Sequence, residues 1–391
     1  MHVSSTRNVD VIVIGAGAAG LSAAWQCARL GAKSVTVLEK AHFAQASSGL
    51  SAGIFNRQTA DSADLRTRIA SVEILSYLEA RNLMTLNRSG YVRLLRTQEQ
   101  LDQTREAVRS SGSSHSAVLD SKDVAELVPG MWTEDVFGGM YGAQDGHMDG
   151  SDLCRAYLQA GRMCGVTYRS RTPVLGSRKR NGRHALKTPA GVIEADVIIN
   201  AAGSWLSRVG AMIGTSVPID NQRHQICLVR VPSLMGMSLP IVQTYFPGSG
   251  ENSVYVRPEG PGKFIAGLHS YESHKASENP DTYGRGVDAD YIDRLAESLL
   301  QRFPGWEDAS LEAGWTGLYP SSPDGRWIIG PHAEDPSVIS VGGLGGVGLT
   351  VSPAVGLVAA EWAVLEEVSA LPPDLVESFK PSRFADAQVD A

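Results

Sequence analysis

Residues 9–40 read VDVIVIGAGAAGLSAAWQCARLGAKSVTVLEK, and this stretch decides the fold. Val9–Ile14 is short, β-branched and apolar at both parities, as a strand buried on both faces of a parallel sheet must be. Leu21–Leu30 carries the pattern of a helix stopped by Gly31, and Ser34–Leu38 that of a second strand closed by Glu39. Gly15, Gly17 and Gly20 fall between strand and helix as G-x-G-x-x-G, the context that gives this motif meaning. Gly15 permits a tight turn, Gly17 with Ala18 and Ala19 lets the main chain approach a pyrophosphate, and Gly20 lets helix pack on strand. Glu39 stands where a carboxylate accepts hydrogen bonds from both ribose hydroxyls of an adenosine. Lys40 is a further candidate beside it, with a solvated face as the alternative. The motif predicts dinucleotide binding and leaves NAD and FAD open.

The chain of 391 residues suits two domains or one interleaved unit with a large core. A formal net charge of -7, with no basic stripe, excludes a nucleic-acid partner. No apolar run reaches the ~20 residues of a bilayer span, and Met1–Asp10 lacks the apolar core of a signal peptide, so a soluble cytoplasmic protein is expected. Cys27, Cys154, Cys164 and Cys227 show no metal spacing and are expected to be buried, reduced thiols.

Ala41–Thr59 is a polar loop, and Leu65, Ile69, Val72, Ile74, Leu75 and Leu78 predict a helix. Tyr91–Arg96 reads as a strand, Glu99–Ser110 and Leu153–Cys164 as helices, and Val192–Asn200 as one buried strand ending in the small residues Ala201, Ala202 and Gly203. From Asn221 to Leu268 short alternating segments predict an antiparallel sheet. Residues 291–300 predict a helix, and Ser352 and Pro353 read as the N-cap and first residue of another that runs to Val364.

Four blocks, in order, resemble the flavin amine oxidase family that includes D-amino-acid oxidase, glycine oxidase and monomeric sarcosine oxidase. They are VIVIGAGAAGLSAA with Glu39, SSGLSAG at 47–53, NAAGSWLSRVG at 200–210, and PDGRWIIG at 323–330 with GGLGGVGLTVSPAVG at 342–356. The resemblance implies an α/β chain: a doubly wound, Rossmann-like FAD-binding domain of the GR2 type (1–85, 140–220 and 320–391) and a second, α+β domain (86–139 and 221–319) whose antiparallel sheet binds substrate. It implies FAD held by Gly15, Gly17, Ala18, Ala19, Gly20, Glu39, Lys40, Ser47, Ser48, Gly49, Val174, Ala201, Ala202, Gly203 and Trp205. Gly345, Gly346, Val347, Gly348, Leu349 and Thr350 are implied at the pyrimidine end of the ring.

The implied chemistry is hydride transfer from the carbon beside an amine to flavin N5, giving an imine that water hydrolyses, with O2 or another acceptor taking the electrons. A small-molecule amine or amino acid is the implied substrate; oligomeric state stays open. Covalent relatives attach flavin at positions that resemble Gly317 and Leu50, so FAD is expected to be noncovalent. The oxygen-activating Lys of the sarcosine enzyme aligns with Ile265, with Lys263 two residues earlier, which puts O2 in doubt. The family's carboxylate-binding cations fall at Tyr319 and Thr350, leaving Arg57 and Arg257 as substitutes and Tyr245 and Tyr255 as a roof for the ring. His147, His224 and His269 are expected in hydrogen-bonded structural roles. The rival readings are a flavin-dependent 2-hydroxy-acid dehydrogenase, which needs a His facing N5, and a noncatalytic FAD-carrying subunit.

Overall fold

The computed structural model describes residues 7–59, 61–112, 114–244, 253–269 and 277–385. Strand β1 (Asp10–Ile14), helix α1 (Ala18–Arg29) and strand β2 (Ser34–Leu38) form the expected strand, helix, strand unit. Its strands lie in a six-stranded sheet ordered Ile328–Pro331, Val338–Gly342, Val197–Asn200, β1, β2, Thr167–Arg169, parallel except at the first pair. A second sheet has eight strands, drawn from residues 91–142 and 220–321. It is antiparallel apart from the Ile241–Gln243 and Tyr91–Leu95 pair. The expected single strand Val192–Asn200 is instead two. Gly191–Ala195 turns away into a three-stranded antiparallel sheet, and only Val197–Asn200 joins β1.

Each sheet has a core that alternation explains. In the second sheet Val92, Leu94, Cys227, Val229, Val254, Val256, Phe264, Ala266 and Leu268 pack with Tyr291, Leu295 and Leu299 of the helix Ala289–Arg302. The residues between them, including Arg93, His224, Tyr255, Arg257, Ile265, His269 and Tyr319, occupy the opposite face. Beside the first sheet α1 packs on the helix Gly348–Val364 so closely that a Cβ on Gly356 would lie 2.3 Å from Ser22 Oγ.

That helix corrects two expectations. The span Gly345–Val364 is apolar and long enough to cross a membrane by composition, yet 78% of its apolar 18-residue window is buried inside the fold, as a core helix is. It also begins at Gly348, with Pro353 inside it. Proline lacks the N–H that would serve the carbonyl of Leu349, and the hydroxyl of Ser352 donates to that carbonyl at 3.0 Å instead. Ser352 therefore repairs the helix where the sequence pattern made it a start. Cys164 is exposed, unlike the other three cysteines. We predict that Ser352→Ala, which leaves a buried carbonyl unsatisfied, costs roughly 1–3 kcal/mol of stability, read as a lower thermal unfolding midpoint of the apoprotein.

Candidate active site

The dinucleotide cradle is set by close approach of main chains. Gly15 has φ +106°, and a Cβ there would lie 2.5 Å from the carbonyl oxygen of Ala201. A Cβ on Gly20 would sit 2.1 Å from the Gly15 carbonyl, so this glycine brings α1 onto β1. The first turn of α1 has N–H groups with no intrahelical acceptor; Ala18 N–H donates to Ser48 Oγ at 3.0 Å. Glu39 is held by two amides, Ala16 N–H at 2.9 Å and Ala41 N–H at 2.8 Å, which fix its carboxylate at the end of β2.

These groups open on a cavity of about 550 Å³, within the range of cofactor sites. Gly15, Gly17, Ala18, Ala19, Glu39, Lys40, Ser47, Ser48, Val174, Ala201, Ala202, Gly203 and Trp205 line one part of it. Tyr319, Gly345, Gly346, Gly348 and Leu349 line another. Gly20, Gly49, Val347 and Thr350 stand outside the lining: Gly49 packs on the Ala44 carbonyl, and Thr350 Oγ1 donates to Ile54 O at 2.9 Å. Two helix N-termini, those of α1 and of Gly348–Val364, thus meet one cavity, and both favour negative charge. This donor set fits FAD: amides for the pyrophosphate, Glu39 for the ribose, and a positive helix end for a ring that gains charge on reduction.

The cavity runs to the polar face of the second sheet. Ser47 Oγ donates to Leu318 O at 2.7 Å and Trp315 Nε1 to Leu50 O at 2.9 Å, so the loop behind Ser48 is stapled to the strand Ser310–Ser321. A separate small pocket beside it is lined by Ser47, Leu50, His224, Gly317 and Tyr319, among others. His224 stacks on Tyr319 with ring centroids 3.8 Å apart. Burial, with His269 nearby, holds His224 down at about 3; burial beside Arg257 holds His147 at about 4. His224 Nε2 and His147 Nδ1 have no hydrogen-bond partner among the described residues. Burial pushes the phenols of Tyr255 and Tyr319 up, so both stay uncharged.

The two candidate cations are both buried, both outside the cavity lining and both paired with a carboxylate, and each keeps one nitrogen, Arg57 Nη2 and Arg257 Nε, without a partner among the described residues. Arg57 is buried outside the cavity lining, with Nε 3.0 Å from Asp145, whose side chain is fully buried. That pair neutralises it. Arg257 is buried on the polar sheet face, paired at 2.5 Å with the half-exposed Glu259, and its Nε has no partner among the described residues. Burial lowers its pKa, against the opposing pull of Glu259. Ile265 is buried against Ile226 and Tyr255, and Lys263 is paired with Glu312 at 2.7 Å at the surface. Tyr245 lies outside the described residues. Sequence reasoning missed Asp281, Tyr283, Arg285 and Arg208 in the cavity wall; the Asn279-Pro280 pair signalled only a turn.

Two outcomes follow. Valine at Gly17, whose Cβ would already sit 3.2 Å from Ser48 Oγ, is predicted to give a colourless purified protein by visible absorbance. Buried neutral imidazoles bind fewer protons in the native state than at their ordinary ~6.5 when unfolded, so native stability falls as pH drops from about 7 to about 5. Urea unfolding at the two pH values should show this, with a shallower fall in His224→Phe.

The comparisons agree with this geometry. The sequence pattern of the FAD dependent oxidoreductase family matches residues 10–362. Human mitochondrial dimethylglycine dehydrogenase is 26% identical over 393 residues, covering 96% of this chain and 44% of its own length, so the chain spans under half of that relative. Glycine oxidase of Geobacillus kaustophilus (strain HTA426) is 25% identical over 375 residues, covering 93% of this chain and 95% of the relative. L-proline dehydrogenase from P. horikoshii has the same fold, with a TM-score of 0.85 at 24% identity over 99% of this chain and all of that one. The chain therefore belongs to the FAD dependent oxidoreductase family.

Proposed function

We propose that the protein oxidises the C–N bond of an amino acid or N-alkyl amino acid, with noncovalently held FAD. The observation that carries this reading is Tyr319, which lines the cofactor cavity and stacks on His224, with uncharged Tyr255 and buried Arg257, whose Nε has no partner among the described residues, on the same sheet face behind it. FAD held by the Gly15–Gly20 turn, Glu39 and the Gly345–Leu349 turn would supply a hydride acceptor for the carbon beside the nitrogen.

The chain's residues supply position and medium. Arg257 binds the substrate carboxylate and fixes which carbon faces the ring. Ile226, Tyr255 and Ile265, packed with Ala52, Ile54, Leu228 and Trp315, exclude water. An uncharged wall disfavours the ammonium form of the amine, so the nitrogen keeps the lone pair that the oxidation draws on. The amides at Gly348 and Leu349 stabilise negative charge at the other side of the cavity. Gly317 and Leu50 face each other, a Cβ on Gly317 lying 3.4 Å from Leu50 Cβ, and neither carries a nucleophile; this supports noncovalent FAD. Apolar Ile265, with Lys263 engaged by Glu312, favours slow reoxidation by air and a dehydrogenase.

Oxidation of a 2-hydroxy acid is the second reading, favoured by one observation, the stacking of the His224 imidazole on the cavity-wall residue Tyr319, and opposed by the burial that holds His224 at about 3 and makes it a weak base. Anaerobic loss of the visible flavin absorbance separates the readings. Sarcosine, proline or another amino acid should bleach the protein, and admitted air should restore the colour slowly. Bleaching by hydroxy acids alone would replace the main reading with the second. Arg257→Met should raise the half-saturating concentration of a carboxylate substrate at least about tenfold, the value of a charged hydrogen bond. The same variant should leave the methyl ester of that substrate unchanged.

A further inference from the structure

A strap crosses the nucleotide end of the cavity. Residues 277–288 leave the second sheet and lead into the helix Ala289–Arg302. Both roots of the strap are tied to that sheet. At one end Ser277 Oγ accepts from Asn221 N–H at 2.8 Å and Glu278 N–H donates to Asn221 O at 2.8 Å. At the other, Arg223 Nε and Thr316 Oγ1 both donate to Gly284 O, at 3.0 Å and 2.7 Å, and Arg223 also pairs with Asp288 at 2.6 Å.

The tip between these roots reaches the other domain. Asp281 Oδ1 accepts from Lys40 Nζ at 3.0 Å and from Trp205 Nε1 at 2.9 Å, while Oδ2 accepts from Arg208 at 2.7 Å. Arg208 also donates to Asn279 Oδ1 at 3.0 Å, and Lys40 Nζ lies 3.5 Å over the Trp205 ring. Lys40 follows Glu39, the ribose-binding carboxylate, so the latch sits beside the adenosine end. Pro280, Asp281, Tyr283 and Arg285 are themselves cavity wall.

We propose that residues 279–285 form a retention latch for FAD, in which Asp281 binds Lys40, Trp205 and Arg208 across the adenosine end of the cavity and sets the rate of cofactor release. Each group of the latch is about half exposed, with side-chain exposures of 49% for Asp281, 45% for Lys40 and 47% for Arg208. Contacts of this kind are individually weak and screened by salt. They suit a gate that must open for loading, unlike the buried Arg57 and Asp145 pair. The latch makes no claim on the reaction, and stands whether the substrate is an amine or a hydroxy acid.

The test is the rate of flavin release from the holoprotein, followed by the rise in flavin fluorescence after dilution into buffer of low or high sodium chloride. Asp281→Ala should release flavin at least about fivefold faster than wild type at low salt, the effect of removing several exposed pair interactions together. Salt should accelerate release from wild type and have little effect on the variant. The double variant Lys40→Ala with Asp281→Ala should be no faster than Asp281→Ala alone, since both open one latch. Release from Asp281→Ala less than fivefold faster than wild type would overturn the proposal. So would equal salt acceleration in the two proteins, or additive effects in the double variant. Asn279→Ala, which removes the Asn279 Oδ1 contacts with Arg208 and with the Asp281 N–H while keeping the Asp281 carboxylate, gives a further check by the same readout, and an unchanged rate there would count against the latch.

Discussion

The structure depends on one constraint: three stretches of main chain, the Gly15 turn, the first turn of α1 and the strand end at Ala201, approach more closely than any side chain allows. A Cβ at Gly15 or Gly20 would lie within 2.5 Å of a carbonyl oxygen. That approach sets α1 against the sheet, leaves its first amides facing the cavity, and brings Glu39 to the edge of the same space. The second glycine-rich turn repeats the arrangement from the other end of the chain, where Gly346 leaves room for Tyr319, whose ring carbon would be 2.6 Å from an added Cβ. FAD binding follows from two helix ends that share one cavity.

The second sheet supplies what the first lacks. Its alternation places an apolar face under its helices and gathers imidazole, phenol and guanidinium groups on the face toward the cofactor. Burial keeps those imidazoles and phenols neutral, and two guanidinium groups on this face, Arg93 and Arg257, each keep an Nε without a partner among the described residues. The bonds from the Ser47 and Leu50 loop to the strand Ser310–Ser321 hold this face against the cofactor cavity.

What the sequence made legible was local. Strand, glycines, helix and acid within residues 9–40 are contiguous, and each residue type answers to a steric or electrostatic demand of its neighbours. Contacts between distant segments were not legible. The stack of His224 on Tyr319 joins residues nearly a hundred positions apart, and Asp281 meets Lys40 across more than two hundred. Arg57 looked available because its partner, Asp145, lies on another element. Ser352 misled for a different reason: a hydroxyl before proline fits a helix start, and only tertiary packing shows it bonding the carbonyl that Pro353 leaves unserved.

The most direct measurement is a crystal structure of the flavin-loaded protein. The account predicts electron density for FAD with its ribose at Glu39, its pyrophosphate against Gly17 and Ser48, and its ring between Gly345–Leu349 and the wall formed by Tyr319 and His224. A dinucleotide in the reverse direction, or a ring remote from the polar face of the second sheet, would contradict it.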